Sequence, residues 1–176
     1  MKIQCDTREH KKELERIQSQ FDRLGVEYFT LKLSVGDYMS IDNPTVCIDR
    51  KKDLLEICGN VTQQHKRFQA ELVRAQKQGI KLIILCEHGE GIERLSDVYF
   101  WRNPRLDKAE WVIENGKPCK KKLFPRATTG EQLYKSMLTM IDKYGIEFRF
   151  CDKRHTGQEI VRILNEYGKQ NKEEKN

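Results

Sequence analysis

The sequence predicts an α/β fold, a mixed central sheet flanked by helices, and three observations carry that reading. Lys81-Leu82-Ile83-Ile84-Leu85-Cys86 carries an unbroken apolar run from Leu82 on, the pattern of a central strand covered on both faces. Segments with helical spacing of apolar residues lie on either side of it, so helices and strands alternate along the chain. Two short strand patterns, Gly36–Ile41 and Thr45–Ile48, flank Asp42-Asn43-Pro44, whose turn chemistry joins them into a hairpin.

Taken in order, Lys2–Cys5 alternates as a strand and ends at Asp6, which puts that carboxylate at the sheet edge beside Asp37. Asp6 is thereby a candidate metal ligand; Asp6 or Thr7 is also placed to cap the next helix, with Glu9 completing a capping box. Leu14, Ile17, Phe21 and Leu24 make the apolar stripe of a helix over His10–Leu24, stopped by Gly25. Val26–Leu33 alternates as a strand leading into the hairpin. Beyond Lys51 the pattern turns helical to Cys58, breaks near Gly59-Asn60, and resumes with Thr62 as cap of a helix reaching Gln78. Phe68, Leu72 and Ala75 form the buried face of that helix, and Lys66, Arg67, Arg74 and Lys77 the basic one.

From about 97 to 128 the pattern weakens into an irregular basic insertion, in which Val112–Pro118 reads as a small hairpin with an Asn-Gly turn. Its aromatics and cations are the chemistry that grips phosphate and stacks on unpaired bases, unless the tryptophans pack back on the domain. Thr129 and Gln132 open a helix that Gly145 ends, Ile146–Cys151 is a strand, and His155–Tyr167 a last helix. The chain divides into one domain over 1–168 and a flexible charged tail over 169–176.

Composition bounds the function. The 176 residues suit one domain, and a net charge of +6 with a pI near 9.0 favours a polyanionic partner. Six cysteines include no Cys-x-x-Cys pair, so free thiols in a reducing, intracellular compartment are expected. No apolar run approaches the roughly 20 residues of a membrane span, and the opening strand leaves no place for a signal peptide.

The hairpin is where chemistry concentrates. It brings Asp37 near Asp49, and strand alternation puts Asp49 and Lys51 on one face with Arg50 on the other. Two carboxylates suit a hard divalent cation such as Mg²⁺ or Mn²⁺. A neighbouring lysine positions or deprotonates an attacking water and offsets charge on a phosphorane-like transition state.

Asp6-Thr7-Arg8-Glu9, then Gly36-Asp37-Tyr38, then Asp49-Arg50-Lys51 resemble, in order and separation, the D-x-R-E, G-D and E-R-K motifs of the nuclease domain of the XPF family of structure-specific DNA endonucleases. The likeness runs on through Glu56–Val61, Arg67–Leu72 and the strand from Lys81 to Glu87, and resumes from Gly130 to about Tyr167. Asp49 stands where the family has glutamate. The family's next acid, four residues past the lysine, falls on Leu55 here, with Asp53 and Glu56 beside it and Glu56 the better match. The resemblance implies a restriction-endonuclease-like fold and a Mg²⁺- or Mn²⁺-dependent endonuclease acting on branched DNA or single-strand/duplex junctions, in repair or recombination. Asp6, Asp37, Asp49 and Glu56 would hold the metal, Glu9 would join the catalytic set, and Lys51 would handle the water. Arg8, Arg50 and Arg67 would orient phosphates, although Arg8 suits a salt bridge to a site carboxylate equally well.

Without a helix-hairpin-helix module the chain resembles the compact type found in the cytoplasm of bacteria or of phage-infected hosts. Relatives dimerise through their last two helices, and Met137, Met140, Ile163 and Tyr167 either supply such a homodimer surface or fill the core. A catalytically inactive DNA-binding partner subunit of the same fold is the alternative function, and an RNA-directed nuclease the third.

Overall fold

The structure, a computed structural model, describes residues 1–89 and 91–173. Their order is β1 (Lys2–Cys5), α1 (Lys11–Arg23), β2 (Glu27–Thr30), β3 (Tyr38–Ser40), β4 (Asn43–Lys51), α2 (Leu54–Val61), α3 (His65–Lys77), β5 (Lys81–Glu87), β6 (Ala109–Glu114), β7 (Lys117–Lys122), α4 (Gly130–Tyr144), β8 (Glu147–Cys151) and α5 (Thr156–Glu173), with short 3-10 turns at Leu95–Phe100, Pro104–Asp107 and Lys153–His155.

Six strands form one mixed sheet in the order β2-β1-β3-β4-β5-β8. β1 runs parallel to β2 and antiparallel to β3, β3 and β4 form the expected hairpin, and β4, β5 and β8 run parallel. The apolar run of β5 explains its place: Ile83, Ile84, Leu85 and Cys86 have no polar face to offer water and are fully buried. Burial of each such aliphatic side chain contributes roughly 1.5–3 kcal/mol. Strand alternation then separates two cores. Ile3, Cys5, Ile48, Ile83 and Leu85 meet α1 and α5 on one face, whereas Cys47, Leu82, Ile84 and Cys86 meet α2, α3 and α4 on the other.

Several boundaries differ from the sequence expectation for local reasons. The first hairpin strand is Tyr38–Ser40, not Gly36–Ile41, because Gly36 takes a left-handed turn at φ +64°. The return strand is longer than Thr45–Ile48: Asn43 already pairs with Ser40, and pairing with β5 carries β4 on to Lys51. The strand expected over Val26–Leu33 is confined to Glu27–Thr30, since β1 offers it only four partners. Near Gly59-Asn60 there is no break. α2 continues to Val61, and Thr62 donates its hydroxyl to the Cys58 carbonyl at 2.6 Å, closing α2 instead of capping α3.

The Thr129/Gln132 capping box forms, with reciprocal bonds of 3.2 and 3.0 Å. Asn115 and Gly116 both sit at positive φ in the β6–β7 turn, as a two-residue Asn-Gly connection requires. α5 extends through Glu173, beyond the expected end at Tyr167; of the tail expected over 169–176, residues 174–176 lie outside the described ones. The six cysteines are free thiols. Met137 and Ile163 are fully buried and Met140 nearly so, the methionines in one core and Ile163 in the other, so they fill the interior and do not make a shared surface. Among the described residues no helix is long and apolar enough to cross a membrane.

Candidate active site

The carboxyl end of β4, the loop before β3 and the segment after β1 open into a cleft of about 840 Å³. Asp37, Asp49 and Lys51 line it, together with Glu9, Arg50 and Glu56. The local sequence dictates this convergence. Gly36 has no room for a side chain: an added Cβ would lie 2.6 Å from Cys47 Sγ and 2.9 Å from the Ile48 carbonyl oxygen. That close approach lets the Asp37 backbone lock into place, its N–H donating to Ile48 O and its carbonyl accepting from Asp6 N, both at 2.8 Å. The Asp37 side chain then accepts from Arg50 N at 2.8 Å, directly beside Asp49 in the sequence.

On the face shared with Cys47, Lys51 Nζ donates to Asp49 Oδ1 at 2.8 Å and lies 5.4 Å from the centre of the Phe68 ring. Asp49 Oδ2 is buried without a hydrogen-bond partner. Burial, together with the charges of Asp49 and Glu9, pushes the Asp37 carboxyl well above the usual range, against which Lys51 and the Arg50 N–H work. Burial opposes the Lys51 charge, yet Asp49 and Asp37 outweigh it and push its ammonium upward, so Lys51 holds its proton firmly. An orphaned carboxylate oxygen next to a carboxyl destabilised by its acidic neighbours fits a hard divalent cation.

The larger ligand set expected from the sequence is not assembled, since among the described residues no group of three or more His, Cys, Asp or Glu is disposed to hold an ion. Asp6 is turned away from the cleft: its two oxygens take Arg8 N, Nε and Nη2 and Leu33 N, at 2.6 to 2.9 Å. Burial alone would raise its pKa, but these four donors overcome that and lower it. Of the two roles open to Arg8, the salt bridge to a carboxylate is the one present, although its side chain is half exposed and also lines the cleft. The helix cap expected from Asp6 and Glu9 does not form, and α1 begins at Lys11 with no side-chain cap. Glu56 lines the cleft and accepts from Lys52 N at 2.9 Å, behind the Asp53 cap of α2.

Arg50 faces the opposite side of the sheet, as strand alternation requires. It grips Glu9 through Nε and Nη2 at 3.0 and 2.8 Å and reaches Glu87 through Nη1 at 3.0 Å. Arg50 and Glu9 side chains are each 6 % exposed. Glu87 also takes Arg16 and the Thr156 hydroxyl, both at 2.5 Å, so the network ties β4 and β5 to α1 and α5 beneath the site. Arg67 stands exposed on the cleft wall in α3, followed at helical spacing by Glu71 and Arg74, with Arg105 and Lys153 also on the lining.

Sequence reasoning missed Glu71, whose Oε1 accepts from Gly36 N at 3.1 Å and braces the loop that carries Asp37. Its signal was its position four residues after Arg67 on the same helix face. Glu87 was also missed, although an acid ending a buried parallel strand was visible as such. Asp6→Asn is expected to lower stability by about 1–3 kcal/mol through loss of charge-assisted bonds and to leave metal affinity unchanged. Because folding lowers the Asp6 pKa, this contribution is complete above the unfolded value and fades as pH falls from there through the folded value. Denaturant midpoints between pH 7 and pH 3, wild type against Asp6→Asn, would test it: the difference must shrink toward acid.

One protein family, described as the ERCC4 domain, matches residues 5–164. Among solved structures, XPF from Aeropyrum pernix aligns with a TM-score of 0.58 at 17 % identity, covering 94 % of this chain and 60 % of that one. The structure described as XPF from Aeropyrum pernix, complex with DNA, aligns with a TM-score of 0.58 at 16 % identity, covering 96 % and 66 % respectively. At these identities the likeness is one of fold, and the chain spans less than two thirds of the length of either structure. No curated protein sequence matches.

Proposed function

Because the chain belongs to the ERCC4 domain family, we propose that it is a divalent-metal-dependent DNA endonuclease that hydrolyses phosphodiester bonds at branched DNA or single-strand/duplex junctions. The observation that carries this reading is the Asp37–Asp49–Lys51 group, with Asp49 Oδ2 buried and unpartnered, on the floor of a cleft lined by arginine and lysine. XPF from Aeropyrum pernix, similar in fold, is known in a complex with DNA, which supports DNA as the occupant.

Asp37 and Asp49 would hold Mg²⁺ or Mn²⁺, which supplies Lewis acidity toward a phosphate oxygen. Two protein carboxylates suffice for such an ion, because Mg²⁺ keeps several waters and takes substrate oxygens for the remainder. Lys51 enters the reaction as a cation: with Asp49 holding its proton in place, it donates to the attacking water or a phosphoryl oxygen and offsets developing charge. Arg50, engaged with Glu9 and Glu87, would act by positioning Glu9 rather than by meeting phosphate. Arg8, Arg67, Arg74 and Arg105, which line the cleft, would contact the DNA backbone.

Purified protein incubated with fork, flap, duplex and single-stranded DNA and with RNA, in Mg²⁺, Mn²⁺ or EDTA, tests the reading. Cleavage of junction DNA with either metal and none in EDTA is expected. Binding without cleavage under every condition would identify a DNA-binding subunit instead, and cleavage of RNA alone would reassign the substrate. Lys120, Lys121 and Lys122 are exposed on β7. Their joint replacement by alanine is expected to weaken DNA binding and flatten its salt dependence by about one unit per lost phosphate contact. An unchanged slope of log affinity against log salt would make these lysines bystanders.

A further inference from the structure

The basic insertion divides its two tryptophans. Trp101 is half buried, packs on the α2–α4 core and meets His88 edge to face at 6.1 Å. Trp111 on β6 is 70 % exposed and Ile113, two residues along, 80 %. β6 and β7 pair with each other and not with the main sheet. On the Trp111 face the register opposes Trp111 to Lys120, Ile113 to Pro118 and Ala109 to Lys122. Trp111 and Ile113 thus put two large apolar side chains side by side in water on one face of the hairpin.

The geometry points to this hairpin as a reader of unpaired bases, with Trp111 and Ile113 stacking against exposed nucleobases and Lys120 and Lys122 meeting the adjoining phosphates. The assignment rests on DNA being the substrate. Charge selects the occupant: the centre of a protein–protein interface is depleted in lysine, whereas here Lys120 and Lys122 stand opposite Trp111 and Ala109 on the same face and Lys120 Nζ lies 5.9 Å from the Trp111 ring centre. A nucleic-acid strand offers both partners at once, flat apolar faces and regularly spaced anions. Bases within a duplex have both faces stacked already, so only unpaired ones can meet the indole.

Position links the hairpin to the cleft. Arg105 lines the cleft and lies 5.9 Å from the ring centre of Phe124, just past β7, while Leu123 N donates to Lys108 O at 2.9 Å and closes the hairpin base. From that base six-residue strands project about 20 Å. DNA held at Asp37 and Asp49 with a single-stranded arm leaving past Arg105 would reach the base of the hairpin that carries Trp111.

The test uses the full chain in EDTA, with a splayed fork and a blunt duplex of equal length as ligands. In a Trp101→Phe background, with Trp111 the sole tryptophan, fork binding is expected to quench fluorescence and duplex binding to leave it nearly unchanged. Trp111→Ala should weaken fork binding about 10-fold, Trp111→Phe should retain most of it, and duplex affinity should stay within two-fold in both. Equal losses on fork and duplex, or fork binding without quenching, would overturn the hairpin's role while leaving the nuclease reading in place. Failure of the wild type to bind either DNA would overturn both.

Discussion

Lys51→Met is expected to cut turnover about 100-fold or more, the scale of one lost charged group at a reacting centre, with DNA affinity changed only a few-fold. Methionine keeps an unbranched apolar side chain of similar reach and removes the ammonium that pairs with Asp49 and stands over the Phe68 ring. Without that cation Asp37 and Asp49 face each other uncompensated, so thermal stability should fall in EDTA and recover when Mn²⁺ is added. Single-turnover cleavage gives the first effect and a pair of melting curves the second. A wild-type rate in the variant would remove Lys51 from the chemistry. A stability loss that Mn²⁺ does not restore would mean that the carboxylates are not the metal's ligands.

Asp49→Asn is expected to abolish most metal affinity and, with it, cleavage. An amide cannot match a carboxylate's charge toward a divalent ion, and the lost group carries a buried carboxylate oxygen without a hydrogen-bond partner. DNA binding in EDTA should be equal or tighter, because one negative charge leaves a phosphate-facing surface. Asp49→Glu restores the residue commoner in the XPF motif and should keep activity. Calorimetric titration with Mn²⁺, beside a DNA isotherm in EDTA, measures both effects. Undiminished metal affinity in the asparagine variant would show Asp49 to be structural.

What the sequence made legible was whatever rests on periodicity and local chemistry. β5 was recognisable from five apolar residues in a row, the β6–β7 turn from Asn115-Gly116, the α4 cap from Thr129 and Gln132, and the opposed faces of Asp49 and Arg50 from strand alternation. Hidden from it was whatever depends on a partner distant in the chain. Asp6 is spent on Leu33 N, 27 residues away, so a carboxylate that looks available on its strand is fully engaged. Arg50 meets Glu87 across 37 residues, and Glu71 reaches Gly36 across 35. The burial of Met137 and Ile163 was undecidable from spacing alone, because an amphipathic stripe looks the same against a sheet as against a second subunit.

Whether the Asp37–Asp49–Lys51 group cuts DNA is reached directly by one measurement. Wild type and Asp49→Asn are bound to end-labelled fork DNA in EDTA, excess Mn²⁺ is added, and intact and cleaved strands are followed in time. The predicted result is cleavage in the wild-type complex and an intact, still-bound strand in the Asp49→Asn complex. Equal cleavage rates in the two complexes, or a wild-type complex that stays intact after the metal is added, would contradict it.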